Sequence, residues 1–396
     1  MNSDSSQKTI PKGWEATKIK DLLDYERPDK YIVKNECYAN TGKIPVLTAN
    51  KSFILGYTNE DFGVYKNIPA IIFDDFTTDS KYVDFPFKVK SSAIKILRSK
   101  SKHPNLKFLY EIIKSINFIA RNHKRYYISE YQNIDVVVPP WEEQKKIAEI
   151  LSTVDDEIQK TDEIIYRTEK LKKGLAQQLF TKGIGHKKFK KTRIGNIPEK
   201  WEAVTLGEIG TNIIGLTYSP KDVVLDGGTL VFRSSNIFGN SIKYGDNVFV
   251  NKKIPNHLIT KSGDILLCTR NGSRNLIGKN AYIDEGSAGH SFGAFMSIYR
   301  TRYSKFVFQF FQSKFFKDQV NQYLGATINQ ITTKSLNSFV ISLPPIDEQD
   351  KITKILCIVD QKISKSRALR EKLVLLKRGL MSDLLSGKVR VEAKTL

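Results

Sequence analysis

Two short polar runs stand where a protein could read the edges of base pairs. Arg233-Ser234-Ser235-Asn236 follows the apolar run Thr229–Phe232, and Thr269-Arg270-Asn271-Gly272-Ser273-Arg274 follows Asp264–Leu267. Arginine pairs bidentately with guanine and asparagine with adenine, while serine and threonine suit bases or phosphates. Loops at strand ends aim such side chains away from a core. Lys279, and Gln330 at the end of the polar run Gly325–Gln330, extend the set. Turn chemistry is the competing reading, since Asn271-Gly272 is a turn signal in its own right. In the first third of the chain the corresponding candidates are Asn50 and Lys51, Lys81, and Arg125 and Tyr126 within the basic stretch Arg121–Tyr127. The aromatics there, such as Phe53, Phe73 and Phe76, fit a core better than a base-stacking platform.

Catalytic patterns are missing from the sequence. Gly272–Lys279 reads GSRNLIGK and approaches a phosphate-binding loop, yet five residues separate its glycines instead of four. Asn280 also stands where serine or threonine would hold magnesium. No dinucleotide fingerprint follows a strand, and no Asn-Pro-Pro-aromatic tetrapeptide of adenine methyltransferases occurs. Glu143-x-Lys145 mimics part of a nuclease centre, but its place at a helix start makes capping the better account. Cys37, Cys268 and Cys357 form no CxxC pair, and the five histidines lack ligand spacing. Free, buried thiols in a reducing compartment, no metal and no catalysis by this chain alone are the expectations.

The charge balance points the same way. Among 396 residues, 63 Lys+Arg face 42 Asp+Glu, a net +21. Nucleic acid, an acidic membrane surface or an acidic protein would match such a charge. No run approaches the roughly 18 apolar residues of a membrane span. The polar start MNSDSSQKTIPKG lacks a signal-peptide core, so a cytoplasmic location is expected.

What positions these groups is written twice. Ile10-Pro11-Lys12-Gly13-Trp14-Glu15 returns as Ile197-Pro198-Glu199-Lys200-Trp201-Glu202. Pro139-Pro140-Trp141-Glu142-Glu143-Gln144 returns as Pro344-Pro345-Ile346-Asp347-Glu348-Gln349, and the match runs without a gap to Phe180 and Leu385, with 17 of 42 positions identical. Each Pro-Pro pair ends a strand and opens a helix, and the acidic residues after it suit the positive end of the helix dipole. Ile147, Leu151, Val154 and Ile158, and again Ile352, Leu356, Val359 and Ile363, make a narrow stripe at coiled-coil spacing. Leu171, Leu175 and Leu179, with Leu376, Leu380 and Leu384, continue it in shifted register. Helices of about 40 residues run about 60 Å, too long for one small domain, so each is expected to pair antiparallel with the other. Gly174 and Gly379 sit at matching positions inside good helix sequence, which suggests close approach by a neighbour or a kink.

The fold expected is mixed α/β (α+β): two globular domains with curved sheets, spaced by an antiparallel coiled coil in a pseudo-twofold, cyclic layout. The expected boundaries are 1–138 for the first globular domain, 139–184 for the first helix and linker, 185–343 for the second domain and 344–396 for the second helix and tail. Helices are predicted over Leu106–Asn117 and Ser304–Tyr323, and Gly183–Arg193 as a basic connector. The helices kept their likeness while the globular parts diverged, which suggests one scaffold serving two different targets.

This order of motifs resembles the specificity subunits of type I restriction–modification systems. The resemblance spans nearly the whole chain and rests on the paired IPxxWE openings and the paired PPxxEQ helices ending in LKxGL. LLCTRNGSRNLIGKNA (266–281) and GATINQITTKSL (325–336) add to it. It implies that each globular segment reads one half of a bipartite site in double-stranded DNA. It also implies that the helices set the spacing and dock two methyltransferase (modification) subunits, which restriction subunits join. S-adenosylmethionine, ATP and magnesium would then belong to those partners and no cofactor to this chain, which by itself would be a monomer or dimer. Where the second segment has TRNGSR, the first has Asp74-Asp75-Phe76-Thr77-Thr78-Asp79, so base-contacting arginines do not carry over there. An autonomous DNA-binding regulator and a self-contained nuclease or methyltransferase are the alternatives.

Overall fold

The computed structural model describes residues 10–50, 52–101, 104–324 and 329–391. Lys51 and the start of the Gly325–Gln330 loop lie outside them. The chain forms two compact units, Met1–Asp162 with Ala368–Leu396, and Glu163–Arg367. Two long helices, Trp141–Lys182 and Ile346–Leu385, contribute one half to each unit.

In the first unit a four-stranded antiparallel sheet has the order Leu23–Glu26, Ile94–Ser99, Ala70–Asp74, Ser80–Val83. A second sheet centres on Ile44–Leu47, with Ile54–Thr58 antiparallel on one side and Lys88–Val89 parallel on the other. The helix Leu106–Ser115 is capped by Asn105, whose side chain accepts the Phe108 N–H. The second unit repeats this plan. Its four-stranded sheet has the order Thr211–Ile214, Met296–Arg300, Ile265–Cys268, Asn280–Tyr282. Its other sheet again holds one parallel pair, Thr229–Phe232 with Ser291–Phe292. The helix expected over Ser304–Tyr323 is two, Ser304–Phe311 and Lys314–Tyr323, because Ser313 accepts the Phe316 N–H and caps a new start.

Within each unit the helix halves run antiparallel. In the first, Asp162 pairs with Arg370 and Asp155 with Lys377, both at 2.5 Å, so one chain rises as the other falls. In the second, Glu169 pairs with Arg367 and Lys172 with Asp360, again at 2.5 Å. Ile147, Leu151 and Val154 are buried, as are Ile352, Leu356 and Ile363, while Ile158, Val359, Leu175 and Leu380 are half-buried. The stripe does more than zip the helices. Ile147 and Leu151 join the first unit's core with Leu384, and Ile352 and Leu356 join the second's with Leu179 and Phe180. Each fully buried aliphatic side chain contributes roughly 1.5–3 kcal/mol. Leu171 and Leu376 depart from the expected stripe: both are exposed, since the register shift turns them outward. Gly174 and Gly379 are not approached either, for nothing stands within 4 Å of where a Cβ would be.

The repeated motifs meet in one contact per unit. Trp14 donates its indole N–H to Glu143 at 3.2 Å, and Trp201 donates to Glu348 at 2.9 Å. A helix end closes each contact. In the first unit Arg390 grips Glu143 with two 2.8 Å bonds, and the Val391 N–H adds a third. In the second the Ile184 N–H and His186 reach Glu348 at 2.9 Å. Gly183 turns there with φ +61°, and a Cβ on it would come within 2.6 Å of both Glu348 and Trp201. Burial alone would raise both carboxyls. The hydrogen bonds from Arg390, Val391 and Trp14 at Glu143, and from Ile184, Trp201 and His186 at Glu348, outweigh it and hold both below the ordinary range. The segment expected as a solvated connector is therefore anchored through His186, and beyond it Phe189–Thr192 forms a hairpin with Gly195–Pro198. Gln144 and Gln349 each donate to the carbonyl of the first proline of their Pro-Pro pair at 2.8 Å, which accounts for the glutamine in the repeat.

Candidate nucleic-acid interface

In the second unit the polar runs meet at one corner of the four-stranded sheet. The Ile265–Cys268 strand ends, and Thr269, Arg270 and Asn271 emerge beside Phe295 from the neighbouring strand's approach. The Thr269 and Arg270 N–H groups both donate to the Phe295 carbonyl at 3.1 Å. Arg270 is exposed, its guanidinium lies 5.1 Å from the Phe295 ring centroid, and its backbone bridges Gln330. Asn271 donates to the Ser234 hydroxyl at 3.2 Å and so ties the two polar runs together. Lys279 donates to the Ser234 carbonyl at 3.0 Å. Beside them opens a cavity of about 780 Å³ lined by Arg233, Ser234, Asn271, Tyr218 and Phe295. Arg233 is held there by Asp246 at 2.7 Å, while its Nε is buried without a partner among the described residues.

Several candidates turn out to build the site without facing outward. Asn236 is fully buried: its side-chain Oδ1 accepts the Arg233 N–H at 2.9 Å and its side-chain NH2 donates to the Lys243 carbonyl and to Asn247, so it shapes the loop and cannot reach a base edge. Thr269 is 7% exposed and bonds Phe295. Tyr126 is 2% exposed, with its hydroxyl tied to Asn122 at 2.7 Å. Ser273 and Arg274 are exposed, and Arg274 reaches the Asn321 carbonyl at 3.4 Å, outside the cavity. Cys268 lies at the base of the corner, and burial pushes its thiol up to about 11, which keeps it neutral and unreactive. Cys37, expected buried, is exposed because it sits in an open loop.

The first unit carries the matching corner with other residues. The Tyr126 N–H donates to the Asp75 carbonyl at 2.8 Å, just as the Ile331 N–H donates to Thr269 at 2.8 Å. Asp75 donates its N–H to Ala93, as Thr269 does to Phe295. Asp75 thus occupies the place of Thr269, and Arg125 that of Gln330. The arginine enters this corner from the segment after the helix, and not from the strand end. Arg125 donates to the Ser92 carbonyl at 2.8 Å, sits 3.6 Å from buried Asp75 and lies 5.4 Å over Phe76, which stacks on His123. Asn50 is exposed and accepts from Thr77, and Lys81 stands half-buried opposite Ile72.

A model of the type I restriction modification DNA specificity domain matches the chain twice, over residues 11–167 and 198–374. The chain belongs to this family. Its members serve as DNA-recognition subunits and not as catalysts, in keeping with the specificity role read from the motifs. A specificity subunit of Escherichia coli, that of the EcoR124I/EcoR124II enzyme, is 31% identical over 85% of this chain and 84% of its own length. The MjaVIII specificity subunit of Methanocaldococcus jannaschii is 29% identical over 97% of this chain and 94% of that one. The crystal structure of a type I S subunit from M. genitalium superposes with a TM-score of 0.62 at 17% identity, covering 95% of this chain and 96% of that one. At that identity the likeness concerns the fold. Among the described residues no helix is long and apolar enough to cross a membrane, and no group of three potential ligands could hold a metal.

Sequence reasoning missed Phe295, Tyr218 and Asp246 in the second unit, and Lys95 and Arg27 in the first. Phe295 had a signal, an aromatic set in the small-residue run Gly293-Ala294 after a strand. Lys95 had none, being one lysine in an apolar strand.

Proposed function

We propose that this specificity subunit reads an asymmetric, two-part DNA sequence, one half with each globular unit. The recognition segments would be 1–138 and 185–343, with 139–184 and 344–396 as spacer and scaffold. The observation that carries this reading is the shared corner. One sheet topology occurs in both units, and the residues gathered at its corner differ: exposed Arg270 and Phe295 with half-buried Gln330 in one, exposed Arg125 with half-buried Phe76 in the other. One scaffold with two sets of side chains suits two different half-sites, about one helical turn apart. Arg233, Ser234, Arg270, Asn271, Ser273, Arg274, Lys279 and Gln330 are the contacts proposed in the second unit, and Arg125, Lys81 and Asn50 in the first. The exposed Leu171 and Leu376, each near an open glycine position (Gly174, Gly379), support the docking of two methyltransferase subunits, since these apolar side chains have no cover of their own. Restriction subunits would join that complex in the cytoplasm, and S-adenosylmethionine, ATP and magnesium would be used by those partners.

The test is co-expression with the methyltransferase encoded beside this chain, followed by mapping of methyladenine in host DNA. A new asymmetric motif with a fixed gap, lost when the chain is omitted, is the expected result. No new methylation from a stable complex with an active partner would overturn the reading in favour of an autonomous DNA-binding protein.

A further inference from the structure

Beside the corner of the first unit lies a second, smaller cavity of about 390 Å³, lined among others by Tyr25, Arg27, Ser92, Lys95 and Arg125. Its lining is cationic in an unusual way. Lys95 is 5% exposed, an unusual burial for a lysine, on a central strand opposite Phe73. Its nearest carboxylate oxygen, on Asp75, is 3.5 Å away, well beyond the 2.7–2.9 Å of a charge-assisted hydrogen bond. Asp75 is already committed: one oxygen accepts the Tyr127 N–H at 2.7 Å, and the other is shared between Lys95 at 3.5 Å and Arg125 at 3.6 Å. The ammonium also lies 5.5 Å from the centroid of the Tyr25 ring. On the open side Arg27 is offset by Asp29 at 3.0 Å. Arg27, Lys95 and Arg125 against Asp29 and Asp75 leave an excess of positive charge around a concave site with Lys95 buried at its base. A buried charge so incompletely paired is costly unless something completes it.

We propose that this cavity takes a phosphate group, presented by the DNA backbone, with Lys95 and Arg27 as its positive contacts and Arg125 at its rim. The proposal rests on the DNA-reading function above and gives it an anchor that the motifs do not reveal. A phosphate presented on a larger backbone suits three cations and the Ser92 hydroxyl in a cavity that leaves room beyond the phosphate itself. Such a contact fixes the register of the unit on the duplex and carries no sequence information itself. That separates the roles of Lys95 and Arg27 from those of the arginine readers, Arg125 standing where the two meet.

The experiment uses the full chain assembled with its methyltransferase, and duplex DNA in a salt titration. Each lost phosphate contact should flatten the slope of log K against log salt by about 0.9, about a 3.5-fold weaker salt response between 50 and 200 mM. Lys95→Met should show that change with an unaltered methylation motif. Asp75 keeps Arg125 and the Tyr127 N–H in that variant. Arg27→Gln, in a side chain 75% exposed, gives the same readout without touching the core. Unchanged slopes in both variants overturn the proposal while the methylation motif of the wild type upholds the reading beneath it. Stabilisation of the wild type, but not of Lys95→Met, by inorganic phosphate with no change in the DNA slope would assign the cavity to free phosphate and overturn the DNA assignment. A wild-type complex that neither binds duplex nor directs methylation overturns both.

Discussion

Replacing Arg270 by alanine should alter what this protein reads without altering how it folds. The guanidinium is exposed, forms no ion pair with a carboxylate among the described residues, and lies 5.1 Å from the Phe295 ring centroid. Losing that cation–π contact costs about 0.5–1 kcal/mol at an exposed site, a shift in melting of a few degrees at most. A bidentate contact to a guanine contributes about 1–3 kcal/mol of discrimination. The two effects therefore separate. The variant complex should stay assembled and active, while preference at one base pair of one half-site drops roughly 5- to 150-fold. The assay is methylation mapping, followed by competition binding with duplexes substituted at each position of the motif. The other half-site should keep its preference, because its reader is another unit. Arg270→Lys should fail to restore preference, since an ammonium lacks the planar fork. A variant that methylates the same motif with undiminished preference at every position would refute the role of Arg270.

Phe295→Ala should loosen preference at the same base pair as Arg270→Ala, by a smaller factor, and Phe295→Tyr should restore it; an effect in the other half-site would show that the ring does not act through Arg270. Lys377→Met should destabilise the first unit by about 3 kcal/mol, because it strips a cation from the fully buried Glu111 at 3.1 Å. Hydrogen exchange over Leu106–Ser115 would report this, and a joint Glu111→Leu change should recover most of the loss. Glu143 and Glu348 are held below the ordinary carboxylate value of 4.5, so their ionised form stabilises the native state fully above that pH. That stability is lost as pH falls through the lower native values. Glu348→Gln should be less stable at pH 7 and should show a shallower acid limb below about pH 4.5 in urea titrations followed by tryptophan fluorescence. An acid limb as steep as the wild type's would count against the Glu348 contact.

The scaffold was legible in the sequence because its determinants are local and written twice. Prolines, acidic first turns and a 4-3-4 stripe specify long paired helices wherever they stand, and duplication at a constant offset marked them as one element used twice. The indole–carboxylate contacts were half legible: Trp14 and Glu143 each stood out as repeats, but their 129-residue separation hid that they touch. The outward turn of Leu171 and Leu376 was not legible, since a heptad slip of one position redirects a side chain and only the packed helices fix it. Gly174 and Gly379 misled for a related reason, because a helix glycine reads alike whether a neighbour presses on it or open space does.

At the site, residue type alone could not separate a side chain that reads DNA from one that holds the loop that does. Asn236 and Arg233 stand three residues apart in one polar run, yet Asn236 is enclosed by Lys243 and Asn247 while Arg233 opens onto the cavity. Comparing the two units makes the distinction sharper than either does alone. Thr269 and Asp75 hold the same backbone bonds in their two corners, so what is common to them is architecture. What differs is the origin of the arginine, a strand end in one unit and the segment after a helix in the other. A search for TRNGSR in the first unit finds acidic residues, and the acidity has a structural cause: buried Asp75 orients Arg125 and partly neutralises Lys95. One of the carboxylates that argued against base-contacting arginines in the sequence, Asp75, is the group that holds the cations in place at this corner.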